Sequence, residues 1–186
     1  MSSQSKRHLP THPNSQLQHD WLYLHEQMPP EKWPLLPSFG SAASWLGMHQ
    51  SLRKGQNQLD YLNRQYLQQQ LDWQEYQNQL LQAAFLHYGH LHGHHLLEDH
   101  EDFPRLRQWQ PKLARGFDLL ESDHAQMDQS MQQIDSWLKQ LKHTPAAKID
   151  LVEQLQQAMQ QNGQHLYRHL ADEEDLVIPI LALQAQ

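Results

Sequence analysis

The sequence contains no cysteine, and this absence excludes several kinds of site. Without a thiolate, the 186-residue chain can form no disulfide, no iron–sulfur cluster, no thiolate zinc site and no cysteine nucleophile. Valine and isoleucine are also scarce, with two and four copies, so there is little of the β-branched material that favours strands. We therefore expect a helical protein whose ligand chemistry comes from nitrogen and oxygen atoms.

Long apolar runs and an excess of positive charge are missing as well. The chain carries 14 basic and 21 acidic residues, a formal net charge of −7, which argues against nucleic acid or an anionic membrane surface as a partner. No apolar run approaches the length that spans a bilayer, and residues 1–15 contain no apolar segment of a secretory signal. These features predict a cytoplasmic, soluble protein.

Proline is concentrated near the N-terminus, where six of the ten copies lie within residues 1–37. Because proline fixes φ and lacks a backbone N–H, we interpret residues 1–37 as an extended arm, with a short helix near residues 16–27. Trp21 and Trp33, with the leucines beside them, make this arm too apolar for a free tail. Part of the arm is therefore predicted to pack on residues 38–186.

The remainder of the chain shows apolar residues at spacings of three and four, which is typical of amphipathic helices. This periodicity predicts helices over residues 38–69, 72–100 and 112–142 and from about residue 146, with a turn or short helical piece at 103–111. Ser38 is the predicted N-cap of the first helix, and Pro104 and Pro179 are predicted to follow the ends of the second and fourth. Four such helices with short links predict an all-α protein, an antiparallel up-down four-helix bundle with an N-terminal arm.

Histidine is in large excess, with 15 copies, and two His–Glu pairs share one spacing. His94 and Glu98 lie four residues apart in the second predicted helix, and His169 and Glu173 repeat this arrangement in the fourth. The i, i+4 spacing places both side chains of a pair on one helix face, about one turn apart. An imidazole and a carboxylate aimed at one point are natural ligands for a first-row transition metal.

Two further histidines lie on core-facing stripes, His49 in the first helix and His124 in the third. Either one alone is more often an ordinary core histidine, and His94 with Glu98 alone could be a surface pair worth about 0.2–0.5 kcal/mol. Buried imidazoles and carboxylates are costly unless paired or coordinated, so together they favour a shared metal site. The predicted ligands are His49, His94, Glu98, His124, His169 and Glu173, while His95, Asp128 and His165 are predicted to surround them. Four imidazoles and two carboxylates suit iron, manganese or zinc, and two metal ions bridged by the carboxylates.

The order of these ligands resembles the hemerythrin-like, or HHE cation-binding, domain of the bacterial type. The resemblance extends to residues 94–99 with Phe103-Pro104, to residues 120–124 and to residues 169–175 with Pro179, and it covers about residues 38–183. It implies a non-haem di-iron centre with a bridging oxo or hydroxo group. His49 and His94 would serve one iron and His124 and His169 the other.

One departure from the family pattern concerns the third helix. Oxygen-carrying hemerythrins place a second histidine four residues from the first, whereas Leu120 and Asp128 stand at that spacing from His124 here. We therefore expect one metal with fewer imidazoles and an open position for a small ligand.

Three functions are compatible with such a site. We expect a protein that binds dioxygen or a related small oxidant, for sensing, storage or a stress response, rather than an enzyme. The first alternative is a di-iron enzyme acting on nitric oxide or peroxide. The second is an iron-handling or interaction module that the metal stabilises. The expected partner is a small diatomic ligand or peroxide, and the expected state is a monomer or a homodimer.

Overall fold

The computed structural model describes residues 8–184, and this part of the chain is all-α. It forms five α-helices and no strand: α1 Ser41–Leu67, α2 Trp73–Leu97, α3 Phe103–Trp109, α4 Ala114–Lys142 and α5 Ile149–Gln184. Three 3-10 helices span His19–Glu26, Pro30–Leu35 and Pro111–Leu113, and a π-helical turn, Glu98–Asp102, joins α2 to α3. The predicted all-α class is confirmed. Among residues 8–184, no helix is both long and apolar enough to cross a membrane.

The contacts divide the chain into two compact units. The first comprises residues 8–49, Asp99–Ser122 and residues 168–184, and the second comprises Gln50–Glu98 and Asp123–Tyr167. In the second unit, α1, α2, α4 and α5 all contribute to one apolar core, which is the packing of a four-helix bundle. The buried core residues of this unit are Leu59, Leu62, Tyr76, Leu80, Ala84, Ile134, Leu141, Leu151, Val152, Leu155 and Met159.

Polar contacts fix the start of α2 and the end of α4 in the second unit. Asp72 and Glu75 form a reciprocal capping box at the start of α2, which satisfies two backbone donors that the helix leaves unpaired. The next turn of α2 also closes the end of α4, because the Gln77 side chain donates to the carbonyls of Leu141 and Thr144 at 2.5 and 3.1 Å. Trp73 donates to the same Thr144 carbonyl at 3.3 Å.

The first unit has its own apolar core, to which the N-terminal segment contributes. Leu17, Leu22 and Leu24 are buried in one cluster with Phe103 and Phe117. Polar contacts add to this packing: the backbone N–H and hydroxyl of Thr11 donate to Asp175 at 2.7 and 3.1 Å, and the backbone N–H of Gln16 donates to Asp172 at 3.2 Å. The segment before α1 is therefore joined to α5 through buried carboxylates.

Pro179 lies inside α5, and the prediction that it follows the end of the last helix is wrong. Proline has no N–H to donate to the carbonyl four residues earlier, so the helix leaves the Asp175 carbonyl without its usual partner. His25 fills this gap, since its Nε2 lies 2.9 Å from the Asp175 carbonyl oxygen and the side chain is buried. A residue 150 positions away thus supplies the contact that lets the helix run through the proline.

Two other predicted boundaries also need correction. Ser38 is not the N-cap of the first helix, because α1 begins at Ser41 and the N–H of Gly40 closes a turn on the Pro37 carbonyl at 3.1 Å. Pro104 does not stop the chain's helical path either, since it occupies the first turn of α3, where a missing N–H costs no hydrogen bond. The interruption of α2 is instead the π-helical turn that begins at Glu98.

His87 is a buried histidine that packs against Gly55 in the second unit. It is 4% exposed, and neither of its ring nitrogens has a hydrogen-bond partner among the described residues. A Cβ on Gly55 would lie 2.5 Å from His87 Nδ1, so the glycine provides the space that this ring occupies. Burial, with repulsion from His90, lowers the pKa of His87 to about 4.

This histidine should make the protein sensitive to acid. His87 takes up a proton near pH 6.5 in the unfolded chain but only near pH 4 in the folded chain. The free energy of unfolding should therefore fall by on the order of 3 kcal/mol as the pH decreases between these two values. We expect His87→Leu to flatten the fall in unfolding free energy between pH 6.5 and 4, measured in urea with a chelator present. The exposed His143→Leu is the matched control, and an unchanged slope in the His87 variant would contradict this role.

Candidate metal centre

The first half of the site lies where α2 enters the π-helical turn. His94 and Glu98 stack one turn apart, as their spacing predicts, and His94 Nε2 lies 3.0 Å from Glu98 Oε1. Glu98 is 1% exposed and is also the first residue of the π-helical turn, a feature that often marks functional sites. The turn therefore begins at a predicted ligand and not at Pro104.

The second oxygen of Glu98 faces a different histidine. His124, which α4 presents to the core, places its Nε2 3.5 Å from Glu98 Oε2. His124 is 2% exposed, so neither group of this pair is solvated. Because each oxygen of one carboxylate faces a separate imidazole, Glu98 has the arrangement expected of a bridge between two cations.

The same arrangement recurs on α5. Glu173 Oε1 lies 3.1 Å from Nε2 of His49, and Glu173 Oε2 lies 3.4 Å from Nε2 of His169. All three side chains are 0% exposed. Two carboxylates on different helices therefore each direct Oε1 to one imidazole and Oε2 to another.

These contacts belong to larger groups of candidate ligand atoms, each lying within 4.8 Å of the others in its group. One group is His49, His94, Glu98 and Glu173, and another is Glu98, His124, His169 and Glu173. The two groups share both carboxylates and divide the four histidines. Nitrogen and oxygen donors of this kind fit a first-row transition metal or zinc, and coordination would offset the cost of burying the charges.

Two side chains that the sequence did not suggest hold the ligands of α5 and α1 in place. Glu174 Oε1 lies 2.9 Å from Nδ1 of His49, so Nδ1 carries the proton and Nε2 is directed to Glu173. The Trp45 indole N–H donates to Glu173 Oε1 at 2.5 Å. Each had a signal in the sequence: Glu174 follows a predicted ligand directly, and Trp45 stands one turn before His49.

The charge state of His49 follows from these neighbours. Burial lowers its pKa, but the carboxylates of Glu173 and Glu174 outweigh burial and raise the pKa to about 9. The His49 side chain is therefore a positively charged imidazolium, with a proton on each ring nitrogen, at neutral pH when no metal is bound. A cation that binds at Nε2 must displace this proton.

The three residues predicted to surround the ligands have different positions. His95 is 2% exposed, stacks on His124 with ring centroids 4.0 Å apart, and forms a third group of candidate ligands with His124 and His169. Asp128 is half-buried and contacts His92 at 3.6 Å, and His165 contacts Asp123 at 3.1 Å. Of the three, His95 alone appears in a ligand group within the described chain.

Glu174 offers a direct test of the contact that orients His49. Glu174→Ala should weaken metal binding about 10- to 100-fold, because the imidazole loses the acceptor that fixes its orientation and tautomer. Glu174→Gln keeps an oxygen at this position and should lose less. The measurement is a competition titration against a chromophoric chelator. Equal affinities for the wild type and the alanine variant would contradict an orienting role.

The comparison with known families agrees with this geometry. The family described as hemerythrin HHE cation binding domain matches residues 42–181. The chain therefore belongs to the hemerythrin HHE cation-binding family, and it is a helical protein with a cluster of candidate metal ligands. No curated protein and no solved structure matched it.

Proposed function

We propose that this protein holds two non-haem iron ions and uses them to bind dioxygen or a related small oxidant reversibly, for sensing, storage or a stress response. The observation that carries the proposal is the orientation of the two carboxylates. Glu98 faces His94 with one oxygen and His124 with the other, and Glu173 faces His49 and His169 in the same way. Family membership and the two ligand groups that share these carboxylates add support.

In this proposal His49 and His94 would hold one ion and His124 and His169 the other, while Glu98 and Glu173 would serve both. The iron pair supplies the reversible redox chemistry when bound. The chain's own residues orient and protect the site: Glu174 directs His49, the Trp45 N–H holds one oxygen of Glu173, and burial excludes water from the ligands. Manganese or zinc would fit the same donor atoms.

His95 has a specific place in this proposal as a further ligand. It would supply a third imidazole beside His124 and His169, in place of the histidine that α4 lacks. That ion would then have three imidazoles and its neighbour two. The ion held by His49 and His94 would then have the fewer imidazoles, and it would be the one to take a small ligand.

The role of His95 can be separated from that of a packing residue. We expect His95→Ala to lower the affinity for one of the two ions by at least about 10-fold, because an imidazole ligand is lost. The other ion should stay bound. His95→Phe keeps a ring stacked on His124 and should show the same loss. Metal titration with an analysis for two unequal sites is the measurement. Normal binding by the Phe variant would assign His95 to packing.

The function itself is tested by metal content and absorption spectra of protein from iron-supplemented cells. Two irons per chain, with a spectrum that changes reversibly on exposure of the reduced protein to air, support the proposal. Consumption of nitric oxide or peroxide beyond one equivalent per site would favour an enzyme instead. Iron that stabilises the fold but gives no response to these ligands would leave a metal-stabilised module.

A further inference from the structure

The outer face of α2 changes character along the helix. Over the first half its exposed residues are polar, but over the second half they are apolar or glycine, apart from one histidine. These residues recur at spacings of three and four and so form one stripe: Phe85, Leu86, Gly89, His92, Gly93, Leu96 and Leu97. Phe85 and Leu86 are 79% and 61% exposed, and Leu96 and Leu97 are 46% and 47% exposed. We call this stripe the α2 face.

A helix of a soluble protein normally carries charged groups on the side that faces water. From Tyr76 to the end of α2 at Leu97 there is no Asp, Glu, Lys or Arg at all. The exposed face of α4, in contrast, carries Asp118, Asp135 and Lys139. The outer side of the second half of α2 therefore lacks the charged groups of a water-facing helix, which is the pattern of a helix that another surface covers.

The charge distribution of the chain favours a second copy of the same chain as the partner that buries the α2 face. The chain has a formal net charge of −7, so two copies repel wherever their acidic surfaces meet. The α2 face brings no acidic residue into such a contact. His92 is its one titratable member, and it already lies 3.6 Å from Asp128 on α4.

The two glycines allow another helix to come close. Gly89 and Gly93 lie one turn apart on the α2 face, and a Cβ built on either one would meet no other atom within 4 Å. Neither glycine is therefore needed to fit the chain's own packing. Each weakens the helix in isolation, but together they leave a shallow gap in the middle of the apolar stripe.

We infer that the α2 face is the contact surface of a homodimer in which the two α2 helices pack antiparallel. The stripe is complementary to itself in this orientation. With the two-fold axis near Leu91, Gly89 of one copy faces Gly93 of the other, Phe85 faces Leu97, and Leu86 faces Leu96. Large side chains then meet at both ends, and the glycines let the helix backbones approach in the middle.

The surface next to the stripe suits the same contact. A groove of about 490 Å³ lies beside Leu86, and another of about 460 Å³ lies beside Phe85 between α2 and α4. Leu81, Met131 and Leu138 line the second groove, and Asp135, Lys139 and Lys142 lie at it, with Lys139 paired to Asp135 at 2.5 Å. The apolar surface thus extends from the stripe onto α4, and the three charged residues beside it leave one net positive charge to meet an acidic second copy.

Sedimentation velocity of the full chain tests the dimer. We expect the wild type to sediment at twice its 22.0 kDa mass and Phe85→Glu to sediment as a monomer. The matched control is Phe39→Glu, because Phe39 is 91% exposed but lies outside α2, and this variant should stay dimeric. A wild-type protein that remains monomeric up to roughly 0.1 mM would overturn the inference, and so would dissociation by both variants alike.

A glycine variant separates loss of the interface from loss of the fold. The Cβ of Gly89→Leu meets no other atom within 4 Å in the single chain and leucine improves helix propensity, so the folded monomer should be at least as stable as the wild type. The same side chain fills the gap at the helix crossing and should weaken the dimer at least 10-fold. A Gly89→Leu variant that dimerises normally would exclude a close crossing at these glycines.

The absence of cysteine in the chain makes the orientation testable as well. Gly89→Cys and Gly93→Cys, mixed in equal amounts and oxidised mildly, should form a disulfide between unlike copies faster than either variant does alone. Faster cross-linking of each variant with itself would indicate a parallel pair and overturn the antiparallel arrangement. The result does not depend on metal loading, so it stands apart from the proposed function.

Discussion

Glu173→Ala is expected to reduce the metal content of the protein by at least one ion per chain, and this is the largest effect that any single substitution in the site should have. The two oxygens of Glu173 face His49 and His169, so its loss removes an anionic ligand from both proposed ions at once. Glu98→Ala should behave alike, since its two oxygens face His94 and His124. Metal analysis of protein purified under iron supplementation is the measurement.

The matched control for these variants is His100→Ala. His100 lies two residues past Glu98 in the π-helical turn but is exposed and belongs to none of the ligand groups of the described chain. It should leave the metal content unchanged. Normal loading of two ions by the Glu98 or Glu173 variant would contradict the bridging assignment, and metal loss in the His100 variant would point to a general effect on the fold.

Much of this arrangement could be predicted because helical periodicity places side chains independently of the tertiary structure. His94 with Glu98 and His169 with Glu173 needed only the i, i+4 rule, and His49 and His124 needed only the position of their apolar neighbours. The structure brings all six into the ligand groups. Their role as ligands stays a prediction until metal is measured.

His95 illustrates where periodicity stops being informative. Consecutive residues on a helix point about 100° apart, and a buried stripe can be that wide, so His94 and His95 can both face the interior. Only the stacking of His95 on His124, a contact with another helix, decides its position. The same limit applies to Glu174, whose partner His49 lies 125 residues away in the sequence.

The wrong prediction for Pro179 has a physical cause, which is that a distant contact overrides a local rule. Proline ends a helix when the carbonyl it leaves unpaired has no other donor, but His25 provides that donor for Asp175 and α5 continues to Gln184. That outcome is not encoded in the residues adjacent to Pro179. The prediction for Pro104 is wrong for a local reason, since this proline occupies the first turn of α3 and α2 gives way to a π-helical turn at Glu98.

The run of residues 172–175 indicates why the metal should matter for stability. These four consecutive acids are all at most 9% exposed, and burial with the neighbouring carboxylates raises the pKa of Asp175 to about 7. Arg168, His49 and Thr11 pair with parts of the run, and His169 and His25 face Glu173 and Asp175. Bound cations would offset the remaining repulsion and the desolvation of the ligands.

We therefore expect removal of the metal by a chelator to lower the melting temperature of the wild-type protein by about 8–16 °C. This range corresponds to about 4 kcal/mol of ligand-linked stability, the value for free metal at roughly 1,000 times its Kd, at about 2–4 °C per kcal/mol for a chain of this size. Glu98→Gln is the matched control, because it keeps the side-chain volume but loses the bridging charge, and the chelator should change its melting temperature less than that of the wild type. The measurement is calorimetric unfolding of both proteins with and without the chelator. Equal shifts in the two proteins would mean that metal acts elsewhere on the chain, and no shift in the wild type would mean that the acidic run is stabilised by its protein partners alone.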